Sequence, residues 1–177
     1  EQSGITAFGA CPGNKALIAG QTGVFHTYGN TAQAMEIKDP VALKANFISD
    51  VKAAFGGKSM YPMTRMGMAA LLRKSLQEPE GDGKEVLEKV RKGELPLLVN
   101  VYTAAETETV LSIAKELGIQ VILQGVYDLK GLEEQIIEMK DSVKLLIGDL
   151  YSYGYAVEFD TDPAAYQRLI DAGVTVG

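Results

Sequence analysis

The sequence predicts an α/β chain built on parallel strands, and three observations carry that prediction. Short apolar runs alternate with helix-period segments from residue 96 to residue 177. The connections between them are short, so each strand is followed by a crossover helix, which favours parallel strands with right-handed connections. The runs LLVNV, IQVIL and VKLLI are nearly continuous in apolar residues. Such strands belong to a sheet covered on both faces or to the wall of a barrel.

Taken in chain order, residues 4–10 (GITAFGA) form a strand, and Cys11-Pro12-Gly13-Asn14 a turn. Residues 16–19 and 23–28 pair as a hairpin about Gly20-Gln21-Thr22-Gly23. Residues 34–37 and 43–47 are two further short strands, so residues 1–60 make a strand- and hairpin-rich part. Residues 61–95 are a helical connection. Thr64 caps a helix reaching about residue 76, with Met66, Ala69, Ala70, Leu72 and Leu76 as its apolar set. Residues 78–83 (EPEGDG) form a loop, and residues 84–92 a short amphipathic helix ended by Gly93.

Regular β/α units fill residues 96–177, and the whole of 1–177 is expected to be one domain. Residues 97–102 are a strand. Thr103-Ala104-Ala105-Glu106 is a capping box, in which the Thr103 side chain and Glu106 satisfy each other's backbone amides. Val110, Ile113, Ala114 and Leu117 follow at helical spacing, and Gly118 ends that helix in the left-handed conformation. Residues 119–123 are the next strand. Asp128 caps a helix carrying Leu129, Leu132, Ile136 and Met139, and residues 143–147 are a third strand. Thr161-Asp162-Pro163 opens the last helix with proline at its first position. Tyr166, Leu169 and Ile170 face inward, Gly173 ends the helix, and residues 174–176 start a fourth strand.

Composition narrows the functional classes. The 177 residues carry 17 Lys+Arg against 23 Asp+Glu, a net charge of −6. Nucleic-acid phosphates demand a cationic face, so a nucleic-acid partner is not expected. No basic run favours an anionic membrane, and no apolar run approaches the roughly 18 residues that span a bilayer. The stretch Glu1-Gln2-Ser3-Gly4 does not read as a signal peptide, and the compartment stays open. The single cysteine, Cys11, cannot form an internal disulfide. The single histidine, His26, matters more, because zinc sites draw on several His, Cys or carboxylate ligands.

Each candidate for chemistry has a structural rival. Gly20-Gln21-Thr22-Gly23 lacks the Gly-Lys-Ser/Thr ending of a phosphate loop, so a turn is the better account. His26 sits in GVFHTY and is expected to be a packed or surface residue rather than a ligand. Asp149 and Glu158-Phe159-Asp160 bracket LYSYGYAV; Asp160 and Asp162 cap the last helix, while Asp149 can cap a turn or bind. Tyr151, Tyr153 and Tyr155 share one face of any extended segment. Arg65 stands in a first helical turn, beside the positive end of the helix, and therefore calls for a carboxylate or anion partner. Asn100 and Tyr102 lie at the exit of a buried strand, where β/α enzymes place their catalytic groups.

Four segments together, GITAFGACPGN, GQTGVFHTYG, PMTRMGMAALLRKSL and DPAAYQRLIDAGVTVG, resemble the imidazolonepropionase-related branch of the amidohydrolase superfamily. The stretch Pro62-Met63-Thr64-Arg65-Met66-Gly67 is the most specific, and the resemblance runs the length of the chain in family order. It implies a partial or rearranged amidohydrolase-type β/α (TIM-like) barrel, and a lineage of metal-dependent hydrolases of C–N bonds other than peptide bonds. It also implies where metal ligands would stand. A family glutamate falls on Ser49, a His-x-His pair on Asn100-Val101-Tyr102, and a Glu-His pair on Gln124-Gly125. A first His-x-His would precede Glu1 and a last aspartate would follow Gly177.

None of these positions in the chain keeps a ligand, so the expectation is a catalytically silent member or fragment without cofactor, acting by binding or assembly. A complete barrel takes about 250 residues, so open sheet edges are expected to pair, giving a homo-oligomer or a barrel completed by a partner. Two alternatives stand beside it. One is an active hydrolase whose zinc ligands come from a partner chain or from flanking sequence. The other is a small-molecule binding module, with Ser49, Asn100, Tyr102, Gln124 and Asp149 lining a strand-end pocket suited to a sugar or amide.

Overall fold

The computed structural model describes residues 4–148 and 161–177. Its strands are β1 (Ala7–Ala10), β2 (Ile18–His26), β3 (Glu36–Asn46), β4 (Leu97–Val101), β5 (Val121–Gly125), β6 (Val143–Ile147) and β7 (Thr175–Val176). Its α-helices are α1 (Ala32–Met35), α2 (Ser49–Gly56), α3 (Arg65–Gln77), α4 (Lys84–Arg91), α5 (Ala104–Leu117), α6 (Glu133–Glu138) and α7 (Pro163–Asp171). All seven strands join one sheet in sequence order. β1, β2 and β3 are antiparallel neighbours, and β3 through β7 run parallel. The sheet curls into a mostly parallel half-barrel.

Strand alternation divides the sheet into two faces. Leu43, Ala45, Leu97, Val99, Val101, Val121, Leu123, Val143 and Leu145 point to the helices and form one core with Leu72, Leu76, Val90, Leu111, Ile113, Ile136 and Leu169. The alternate residues (Lys44, Asn46, Leu98, Asn100, Ile122, Gln124, Lys144 and Leu146) occupy the inner face. That face is covered at β3 and β4, where Asn46 and Asn100 are buried, and it opens toward β6, where Lys144 is exposed and Leu146 is 38% exposed.

Local chemistry sets the helix ends. The Thr103 hydroxyl accepts from Glu106 N and the Glu106 carboxylate accepts from Thr103 N, completing the expected capping box. Gly118 adopts φ 64° after α5. Thr64 caps α3 by accepting from Gly67 N, and Asp162 caps α7 by accepting from Ala164 N.

The first half departs from expectation in instructive places. Gly20-Gln21-Thr22-Gly23 is no turn: it lies inside β2, a single nine-residue strand. Its glycines serve irregular pairing instead, since the β2–β3 register shifts three times and Gly20 has φ 135°. Residues 34–47 are not two strands but a short helix followed by the eleven-residue β3. Helix α2 carried no expectation; its signal was Val51 and Phe55 spaced i, i+4, one buried and one packed against the core. Met66 is 82% exposed and Ile170 is also exposed, so Met68 and Ala165 fill the inward positions instead. Asp128 does not cap α6, which begins at Glu133; its Oδ1 accepts from Lys130 N in a local turn. Val101 is the last residue of β4, leaving Tyr102 outside the strand.

Candidate functional site

The inner face carries a row of carboxamides at the C-terminal end of the sheet. Asn46 pairs in register with Asn100, and Asn100 with Gln124. Paired residues of parallel strands point to the same side, so the three amides stand side by side on β3, β4 and β5. Neighbouring strands lie about 4.8 Å apart, which spreads the row over about 10 Å. Leu146 continues it on β6.

Hydrogen bonds fix Asn46 and Asn100 in the row. The Asn46 amide nitrogen donates to Ala16 O (2.8 Å) and Gly13 O (3.3 Å). Earlier on the same strand, the Lys44 ammonium donates to Asn14 Oδ1 (2.9 Å) and Pro12 O (3.0 Å). Together these side chains bind the 11–16 arm over the sheet. The Asn100 amide nitrogen donates to the Tyr102 hydroxyl at 3.4 Å, and the Tyr102 and Tyr127 rings lie 5.5 Å apart. The side-chain oxygens of Asn46 and Gln124 are buried without a hydrogen-bond partner. Leaving a buried acceptor unpaired is costly.

Above β5 the chain folds back on β4. Val126 N donates to Val101 O (2.8 Å) and Asp128 N to Tyr102 O (3.2 Å). The reversal uses Gly125 at φ 97° and Val126 at φ 43°. A Cβ on Gly125 would meet Val101 O at 2.6 Å. The Tyr166 hydroxyl donates to Val126 O at 2.7 Å. Burial, with Tyr127 nearby, pushes the Tyr166 phenol up to about 12.

Of the sequence-predicted residues, Asn100, Tyr102 and Gln124 gather at this rim. Ser49 does not stand in the row: it opens α2, exposed, three residues beyond the end of β3. Asn46 occupies the corresponding place on the sheet. It was missed although its signal was present, since KAN, LVN and VILQ each carry a polar residue at an inner-face position of an apolar run. Asp149 lies outside the described residues, as do Tyr151, Tyr153, Tyr155, Glu158 and Asp160. His26 stands far along β2 and stacks on Tyr28 at 4.7 Å, as a packed histidine would.

Arg65 finds the partner its position requires. Its Nη2 donates to Glu106 Oε1 at 3.1 Å, while Glu106 Oε2 accepts from Tyr102 N (3.0 Å) and Thr103 N (3.1 Å). The Glu106 side chain is 3% exposed. The most specific segment of the sequence therefore locks α3 onto the rim beside Tyr102.

The divalent ion that the sequence resemblance implies can be tested against these residues. Three carboxamides and a phenol supply neutral oxygen, whereas a hydrolytic zinc draws on imidazole and carboxylate. The rim residues do not fit such an ion. Among the described residues, no three His, Cys, Asp or Glu side chains gather closely enough to hold one.

No family model matches the chain, and no curated protein matches it. Among solved structures it is similar to the crystal structure of an amidohydrolase from Thermotoga maritima MSB8, with 23% identity and a TM-score of 0.87. The match covers 98% of this chain and 50% of that one, so the chain spans half the length of the structure it resembles. The fold is thus that of half an amidohydrolase β/α barrel.

Proposed function

We propose that the chain is a divergent member of the amidohydrolase superfamily, of the imidazolonepropionase-related branch, that has given up hydrolysis and works by binding or assembly. One observation carries the reading: the in-register row Asn46, Asn100 and Gln124 stands at the C-terminal strand ends, where barrel enzymes build their active sites. Carboxamides there neither bind a hydrolytic ion well nor transfer protons near neutral pH, and the rate of metal hydrolases rests on an ion that acidifies water. Gly125 adds support. The resemblance assigns a histidine there, yet the φ of 97° and the nearby Val101 carbonyl favour a residue without a side chain. The chain should lack hydrolase activity on cyclic amides and imidazolones with zinc, manganese or cobalt added. Turnover that depends on added metal would defeat the reading.

A second reading keeps hydrolysis and takes its ligands from another chain or from flanking sequence. The exposed inner face at Lys144 and Leu146, and the half-length match, favour it over other rivals. Zinc bound only after a partner or flanking segment is restored would select this reading.

A further inference from the structure

A cavity of about 650 Å³ lies beside the rim but uses none of its carboxamides; Lys15, Ala16, Asp50, Ala54, Phe55 and Lys58 are among its walls. Its size falls within the roughly 300–1,000 Å³ range of small-molecule sites. Two constraints hold its shape. One wall is the 11–16 arm, fixed to β3 because Asn46 donates to Ala16 O and Lys44 to Pro12 O and Asn14 Oδ1. The opposite wall is the end of α2, where the chain reverses sharply. Gly57 N donates to Ala53 O, Ser59 N to Gly56 O, and both Lys58 N and Met60 N to Phe55 O, with Ser59 at φ 52°. That reversal carries Lys58 and Met60 back across the Phe55 end of the helix.

The chemistry of the lining is lopsided. Ala53, Ala54, Phe55 and Met60 make an apolar floor, and charge enters through two ammonium groups and one carboxylate, Asp50. Neither lysine has an ion-pair partner among the described residues. The net charge of the lining is therefore +1, in a protein whose overall charge is −6. A floor of this kind suits an aliphatic or aromatic body, the two lysine charges in the lining favour an anionic head, and the Asp50 carboxylate disfavours a second negative charge.

We propose that this cavity binds a small organic monoanion with an apolar body, such as an aryl or alkyl monocarboxylate. No rim carboxamide lines the site, although Asn46 anchors one of its walls, and the proposal stands whether or not the rim has lost hydrolysis.

The test is calorimetric titration of the whole chain with naphthalene-2-carboxylate, naphthalene-2-carboxamide, naphthalene-2,6-dicarboxylate and inorganic phosphate. The monocarboxylate is expected to saturate at one equivalent and to bind about tenfold or more tightly than the neutral amide, the dicarboxylate or phosphate. Lys15→Glu with Lys58→Glu, both at exposed positions, should weaken it about tenfold or more, whereas the remote Lys92→Glu should leave it within about twofold. Asp50→Asn should narrow the gap between mono- and dicarboxylate. Equal affinity for carboxylate and carboxamide overturns the proposal. So does an equal loss in Lys92→Glu, or the absence of a saturable signal from a protein whose circular dichroism shows it folded.

Discussion

Gly125 offers a quantitative check, because strain and collision act there together and can be separated. Alanine at this position must hold φ 97°, outside the left-handed well, which costs about 1–3 kcal/mol. Its Cβ would also lie 2.6 Å from Val101 O, a backbone atom that cannot swing aside. Relief requires β4 and the β5 exit to part, which breaks the Val126 N to Val101 O bond of 2.8 Å and costs about 1 kcal/mol more. Gly125→Ala should therefore lose about 2–4 kcal/mol in all. Gly118→Ala is the control. Gly118 has φ 64°, and a methyl group there would meet no other atom within 4 Å, so only the conformational cost of about 1–2 kcal/mol applies. Urea unfolding followed by circular dichroism gives both values from shifts in midpoint at unchanged slope. Equal losses in the two variants would show that the Val101 carbonyl yields freely, and the account of Gly125 would fail.

Three other outcomes are expected. Glu106→Ala leaves the half-buried amides of Tyr102 and Thr103 without their acceptor and should cost about 2–3 kcal/mol in urea unfolding, whereas Arg65→Ala, whose side chain is 54% exposed, should cost about 1 kcal/mol or less. Equal costs would mean that the ion pair, not the amide cradle, matters. Arg168 donates to both Glu133 and Asp162, and holds both carboxyls below their ordinary values of 4.5 and 3.8. Because the folded values are depressed, the contribution is present above the ordinary carboxylate range and fades as pH falls through the depressed values. The gap in urea midpoint between wild type and Arg168→Ala should thus be widest near neutral pH and close in acid; a gap that grows in acid would reverse the sign. Finally, light scattering should find a mass of at least twice the 19.0 kDa chain, with the exposed inner face around Leu146 and the sheet edge at β7 covered by a second copy. A monomer that persists at high concentration would contradict it.

How much of this was legible in the sequence depended on which physical signals were local. From residue 97 onward, Thr103, Glu106, Gly118, Asp162 and Pro163 mark helix ends by chemistry contained within a few residues, and the bounds of α5 and α7 followed closely; β5 instead spans Val121–Gly125, two residues later than expected, and α6 begins at Glu133 rather than at Asp128. The first half depends on pairing at long range. Gly20 and Gly23 look like turn residues in isolation, yet the eleven-residue β3 recruits them into an irregular strand that no local pattern announces. Met66 and Ile170 fit the helical period but fall on the edge of the buried stripe, where one step of rotation exposes them. At the rim, Asn100 and Gln124 were readable as polar residues ending apolar strands. Asn46 was readable by the same logic, but the resemblance drew attention to Ser49, which the backbone carries past the sheet into α2. The cavity between the 11–16 arm and α2 was not readable, since it depends on Asn46 and Lys44 reaching across about thirty residues of chain.

The central claim is that uncharged, weakly coordinating groups fill the strand-end rim. Diffraction from zinc-soaked crystals, collected across the zinc absorption edge, tests it directly. The account predicts no anomalous peak within coordinating distance of Asn46, Asn100, Tyr102 or Gln124. An ordered zinc ion held by any of these side chains would contradict it.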